Sequence, residues 1–268
     1  MANLDHKFEG SIPEFYDRYM VPLFFEPYAT DLAFRLKDLS AGQLLELAAG
    51  TGVLSRALAR SLPPAVAIVA TDLNPAMLDH ATARSDPRIV FRQADAQQLP
   101  FPAQSFDCVV CQFGVMFFPD KLAAYREVHR VLKPGGRFLF SVWDQLERNG
   151  LSYAAVQGLR QFFRDNPPSF VSRTPFGYFD TAQIERELRE AAFSTSGFDT
   201  VALRSHAASA EHVALGLVQG SPLRNELAAM SPELIDQVTA SLAASLTSRF
   251  GPGPFDTPMQ AHVCLARR

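Results

Sequence analysis

Leu44-Leu45-Glu46-Leu47-Ala48-Ala49-Gly50-Thr51-Gly52 carries an apolar run straight into a cluster of small residues, and the amphipathic run Val53–Ser61 follows. A short, continuously apolar run bounded by glycine suits a strand buried on both faces, as in a parallel sheet covered by helices. The small residues let the backbone approach a ligand closely, and the helix that follows presents unpaired N–H groups at its start. Taken alone, the same pattern also makes an ordinary tight strand-to-helix turn.

Working outward, residues 43–142 alternate short apolar runs with amphipathic ones. Strands are expected at 43–47, 66–71, 89–92, 106–111 and 137–142, and helices at 53–61, 75–85 and 121–132. The second helix has Asn74 as N-cap and Pro75 at its first position. This rhythm is that of a doubly wound α/β sheet. In Ala70-Thr71-Asp72-Leu73-Asn74 an acidic residue closes the second strand about twenty residues after the glycine turn, the position from which a carboxylate can hold a ribose diol. Helix capping is the competing role for Asp72, and Asn74 is already placed for it. Both elements suit a nicotinamide dinucleotide as well as another nucleoside cofactor. The nicotinamide fingerprint, however, wants a third glycine three residues beyond Gly52, where Ser55 stands.

Three further motifs follow in order: Gln93-Ala94-Asp95-Ala96-Gln97-Gln98-Leu99-Pro100-Phe101, Phe106-Asp107-Cys108-Val109-Val110-Cys111-Gln112-Phe113, and Leu132-Lys133-Pro134-Gly135-Gly136-Arg137-Phe138-Leu139. With the two elements above, they make residues 44–143 resemble the class I S-adenosylmethionine-dependent methyltransferases, most closely the small-molecule branch that includes the ubiquinone and menaquinone biosynthesis enzymes. The resemblance implies a Rossmann-like, doubly wound sheet of seven strands with the last strand antiparallel, inserted between the fifth and sixth. It implies that Glu46 and the Gly50 to Gly52 turn lie against the methionine part of S-adenosylmethionine and that Asp72 holds the ribose. Leu73 and Met77 would pack on the adenine, Asp95 and the Ala96 backbone would bond its edge, and Gln112 and Phe113 would border cofactor and acceptor. Ala48 stands where the fullest form of the family's motif has its first glycine, and its extra methyl is expected to be a tolerable contact. A dedicated base is optional, since a sulfonium is already an activated leaving group: a phenol or alcohol acceptor needs a nearby His, Asp or Tyr to take its proton, whereas an amine or an activated carbon requires no conspicuous residue.

Composition narrows the field. Lys and Arg number 25 against 28 Asp and Glu, for a net charge of -3, so neither a nucleic-acid surface nor a dense basic patch is expected. Neither a signal-type N-terminus nor a run long enough to cross a bilayer is read, and three cysteines make no disulfide framework, which together point to the cytoplasm. Cys108 and Cys111 fall in a strand, where residues three apart point to opposite faces, and are expected as buried packing residues rather than a redox pair. The six histidines show no metal-ligand spacing.

Residues 1–42 are read as an N-terminal helical lid, broken into short pieces by Pro13, Pro22 and Pro27, with Tyr19 as a contact to the cofactor carboxylate. Residues 43–143 are the Rossmann-like core. Residues 144–268 supply cap helices and the last strands, with helices expected at 151–163, 181–192, 210–219 and 232–249, strands at 198–204 and 261–266, and a turn at Ser221-Pro222-Leu223-Arg224. The aromatics Phe162, Phe163, Phe170, Phe176, Tyr178 and Phe179 favour a partly apolar small-molecule acceptor, although each also serves core packing. Pairing into a homodimer stays open. A nicotinamide oxidoreductase and a non-catalytic module that binds S-adenosylmethionine are the rival readings.

Overall fold

In the computed structural model, which describes residues 5–268, the apolar runs pair as expected. Strand β1 (Gly42–Glu46) is followed by helix α3 (Val53–Ser61), β2 (Val66–Asp72), α4 (Pro75–Thr82), β3 (Ile89–Gln93) and β4 (Phe106–Gln112). Helix α5 (Lys121–Val131), β5 (Leu132–Trp143), α6 (Gly150–Phe163), α7 (Phe170–Arg173) and α8 (Thr181–Glu190) come next. The chain ends with β6 (Thr195–Ala207), α9 (Ala210–Gln219), α10 (Leu223–Met230), α11 (Leu234–Phe250) and β7 (Phe255–Arg267). Two helices, α1 (Ile12–Phe15) and α2 (Glu26–Arg35), precede the sheet and are joined by a π-helical stretch, Tyr16–Phe25.

The seven strands form one sheet in the order β3-β2-β1-β4-β5-β7-β6. β1 lies parallel to both β2 and β4, and β2–β3 and β4–β5 are parallel too. The Arg268 N–H bonds the Gly136 carbonyl while the Asp144 N–H bonds that of Gln260, so partners fall along β7 as they rise along β5. The same inverse order joins β6 to β7, where Ser194 N–H bonds the Arg267 carbonyl and His206 meets Asp256. The last strand is therefore antiparallel and sits between β5 and β6, as the resemblance implied.

Three local expectations are corrected. Pro13 and Pro27 stand at the starts of α1 and α2, but Pro22 does not break the segment, because it lies inside the π-helical stretch. There the Glu26 N–H reaches back five residues to the Val21 carbonyl, and a wider turn relieves the clash a proline ring makes with the preceding turn of an α-helix. β5 begins at Leu132 rather than 137. Leu132 already pairs with Phe106, and the next pair is Arg137 with Cys108, so one residue of β4, Asp107, faces four of β5 and Pro134-Gly135-Gly136 is a bulge within the strand. The turn at Ser221 is shorter than expected, with Pro222 as N-cap and Leu223 and Arg224 inside α10.

The chain divides into two compact units, and β5, β6 and β7 each contribute to both. One comprises Pro27–Val142, Phe179–Val201 and Ala261–Arg268. Its core packs Leu44, Leu54, Leu58, Ile68, Cys108, Val110 and Leu139 from the strands and α3 with Leu32 within α2 and Leu36 just after it. Tyr28 is fully buried there and its hydroxyl donates to the Val201 carbonyl. The other comprises the N-terminal residues to Glu26, Trp143–Tyr178 and Ala202–Gln260. In it α11 packs on α6 and α9, and α9 packs on the π-helical stretch. The last contact is close because Gly216 has no side chain, and a Cβ there would come within 3.1 Å of Tyr19 Cβ.

Asn149, 3% exposed, organises the start of this second unit. Its Nδ2 donates to the carbonyls of Gln145 and Gln260, its Oδ1 accepts from Gln260 N–H, and Gln260 Nε2 reaches Asp144. Asn149→Ala takes away the acceptor of the half-buried Gln260 N–H together with two donated bonds and is expected to cost about 1 to 3 kcal/mol, measured as a shift of the urea midpoint at unchanged slope.

Candidate functional site

β1 and β4 are neighbours in the sheet, but the chain leaves β1 toward β2 and leaves β4 toward β5. Their loops therefore part, and the crevice beyond the carboxyl ends of such strands is where open α/β sheets bind ligands. Eleven of the twelve sequence-predicted site residues belong to the unit that holds this edge. Tyr19 belongs to the other, where its ring packs on Phe15 and His212 beneath the Arg18 guanidinium.

Glu46 ends β1 with 1% of its surface exposed. The Ser55 hydroxyl, one turn into α3, donates to its carboxyl, and Thr71 Oγ1 donates to its backbone carbonyl from β2. Burial pushes the Glu46 carboxyl from its ordinary 4.5 up to about 8, against the opposing pull of Ser55 and with a further push from Asp72. Asp72 is also buried, and burial raises it too. It is better supplied with donors. Its Oδ2 accepts from Gly50 N–H at 2.9 Å, and its Oδ1 accepts from the N–H of Asn74 at 2.8 Å and from Asn74 Nδ2. Asn74 N-caps α4 by position without a side-chain bond to the helix, and Asp72 spends its bonds on the loop ends rather than on the helix.

The turn after β1 is left-handed at Ala48 (φ 51°), Gly50 (φ 56°) and Gly52 (φ 83°). For Ala48 the cost lies in the backbone, since a Cβ disfavours this region by about 1 kcal/mol or more. The methyl itself is accommodated by Gly114, where a Cβ would come within 2.4 Å of Ala48 Cβ and 2.7 Å of Cys111 Sγ. Phe113 is left-handed as well (φ 51°) and is held by its N–H bonding both the backbone carbonyl and the hydroxyl of buried Ser141. Its ring meets Tyr28 edge-on at 5.2 Å. Gln112, half-buried, is the last residue of β4 and pairs with Ser141 of β5.

Leu73 is 42% exposed directly after Asp72, an apolar surface at the sheet's ligand edge, whereas Met77 is buried on α4. The Ala94 N–H bonds the Asp72 carbonyl and so carries the loop after β3 to the same edge. Asp95 is exposed there and accepts from Gln97 N–H, with Ala96 beside it. Ser55, Thr71, Gly114 and Ser141 complete the arrangement and are absent from the sequence reading as site residues. Thr71 stands there within the motif that ends the second strand, and Ser55 as the residue that breaks the nicotinamide fingerprint, but neither has a site role. Cys108 and Cys111 are buried, with burial pushing each thiol to about 12, so neither forms a reactive thiolate.

A family profile for methyltransferase domains matches residues 45–140, from β1 to β5. The ubiquinone/menaquinone biosynthesis C-methyltransferase UbiE of Hahella chejuensis is 41% identical over 108 residues, 37% of this chain and 42% of that protein. The chain thus spans less than half the length of such curated relatives. Solved structures extend the likeness in fold beyond the methyltransferase domain. The YcgJ protein of Bacillus subtilis is 20% identical with a TM-score of 0.59, covering 90% of this chain and 98% of its own. An S-adenosylmethionine-dependent methyltransferase of Thermotoga maritima is 17% identical with a TM-score of 0.58, covering 99% of each. The chain shares the fold of these two proteins.

Two outcomes follow from the domain's geometry. Gly114→Ala is expected to destabilise by about 1 to 3 kcal/mol through overlap with the Ala48 methyl, and the Ala48→Gly/Gly114→Ala double variant to recover part of it, as read from a double-mutant cycle in urea. Glu46 gives a pH signature. Its folded pKa is raised, so the stability tied to its neutral form is full below 4.5 and is lost as pH rises toward about 8. Glu46→Gln is therefore expected to be less sensitive to pH than the parent between those limits, shown by melting temperatures measured across the range.

Proposed function

We propose that the chain transfers a methyl group from S-adenosylmethionine to a small-molecule acceptor, releasing S-adenosylhomocysteine. The observation that carries this reading is Asp72, buried beyond β2 and bonded to the Gly50 N–H of the glycine turn. The surrounding donors and surfaces fit the cofactor. The Asp72 carboxylate, already positioned by the Gly50 and Asn74 N–H groups, is the acceptor for a ribose hydroxyl. Leu73 offers an exposed apolar surface to the adenine, Asp95 an exposed carboxylate to its edge, and Glu46 a buried carboxyl to the cationic methionine end.

The cofactor, when bound, supplies a methyl on a positively charged sulfur, ready for in-line displacement. The protein's part is to hold, orient and exclude water. The turn at Ala48 to Gly52 brings backbone close to the ligand, and Phe113, locked by Ser141 and Tyr28, closes the β4 side. Gln112 and Phe113 are the residues assigned to the border between cofactor and acceptor. Acceptor choice is assigned to 151–179 and 210–249, which carry no cofactor role. The relatives' C-methylation supports trying acceptors with an apolar ring and an activated carbon first. Phe170, Phe176 and Tyr178 are buried in their own unit, with Phe176 stacked on Trp143 at 5.9 Å, so they shape its core rather than offer free surface.

Release of S-adenosylhomocysteine from labelled cofactor across an acceptor panel tests the reaction, and cofactor binding with no turnover on any acceptor class would leave only a binding module. Asp72→Asn is expected to weaken S-adenosylmethionine roughly ten- to hundredfold, the loss of one charge-assisted hydrogen bond. Titration calorimetry on the folded variant decides it, and unchanged affinity would restrict Asp72 to pinning the loop.

A further inference from the structure

Two carboxyl groups, Glu46 and Asp72, are buried at the ends of adjacent strands, and their surroundings are unequal. Asp72 accepts two backbone N–H bonds and a side-chain amide. The Glu46 carboxyl has the Ser55 hydroxyl. Around it stand Asp72 on β2, Cys111 on β4 and Arg56 on α3. Cys111 is a neutral thiol, and the Arg56 guanidinium donates at 2.6 Å to the Thr51 carbonyl. Among the described residues Glu46 has no cation bonded to it, and ionising it would place a second negative charge near Asp72 while both side chains are buried. Of two buried carboxyls that repel each other, the one with fewer donors keeps its proton to higher pH.

We infer that Glu46 is the proton-linked counter-ion of the site: neutral in the free protein, it surrenders its proton to solvent when the cationic methionine end of the cofactor enters. This rests on the proposed function and goes beyond it by coupling cofactor affinity to pH through one named side chain. The balance is simple. A cation enters, the O–H bond of the carboxyl breaks, the proton leaves to buffer, and the carboxylate faces the ligand. The shift of the Glu46 carboxyl to about 8 agrees with this order of events. Ser55 is the positioning residue, because its hydroxyl can donate to the carboxylate once formed.

The test has two arms. In the free protein at pH 7, an infrared difference between parent and Glu46→Gln is expected to show one carboxylic-acid C=O band, and its absence would overturn the inference. Calorimetry of S-adenosylmethionine binding in buffers of different ionisation enthalpy is expected to show about one more proton released by the parent than by Glu46→Gln. That difference cancels the titration of the cofactor's own amino group, which falls in the same range. Affinity of the parent is expected to rise about tenfold per pH unit below its carboxyl pKa, with no such slope in Glu46→Gln. Ser55→Ala is expected to move the slope to higher pH, a shift that a purely structural serine would not give. Binding with equal proton release in parent and Glu46→Gln would overturn the linkage alone, and the absence of any binding heat would overturn the functional reading together with it.

Discussion

Gly50 donates its backbone N–H to the Asp72 carboxylate, 22 residues away, and so joins the turn after β1 to the end of β2. A parallel sheet has no hairpins, so the loops at its carboxyl edge are independent unless something ties them. Here the ties are short and local. Ala49 N–H reaches the Thr71 carbonyl, Leu47 N–H the Val110 carbonyl and Ala94 N–H the Asp72 carbonyl. The Asp72 bond is the one among these that also fixes a carboxylate in place, so the ligand edge takes its shape and its charge from one side chain. Without it Gly50 would keep its left-handed conformation at no steric cost, but nothing would orient that amide toward β2.

Much of this was legible in the residues. α3 and α9 begin and end where periodicity and capping place them, α9 behind Ser209, whose hydroxyl accepts from His212 N–H. The seven strands and the late strand between β5 and β6 were implied by the family resemblance rather than by any single element. What escaped has physical reasons. Pro22 reads as a breaker because proline forbids the α-helical bond, and no pattern in the residues announces the wider π-helical turn that admits it. Pro134-Gly135-Gly136 reads as a turn, and only the pairing of Leu132 with Phe106 reveals a bulge.

The same holds at the site. Residues that touch a ligand cluster in motifs, but residues that hold those residues need not. Ser55 supports Glu46 from the first turn of α3, and Ser141 supports Phe113 from a neighbouring strand, 28 positions along the chain. Such partners are fixed by three-dimensional packing, and their sequence signature is a single small polar residue among many.

Ala48 and Gly114 extend this to history. The two positions share room for one methyl group, so the order in which a lineage fills them is constrained. A descendant that acquires alanine at 48 must already lack a side chain at 114, and from then on position 114 is closed to change while position 48 can still revert to glycine. The exchange is a ratchet: an apparently conservative step in the glycine turn converts a residue after another strand into one that every later variant has to keep.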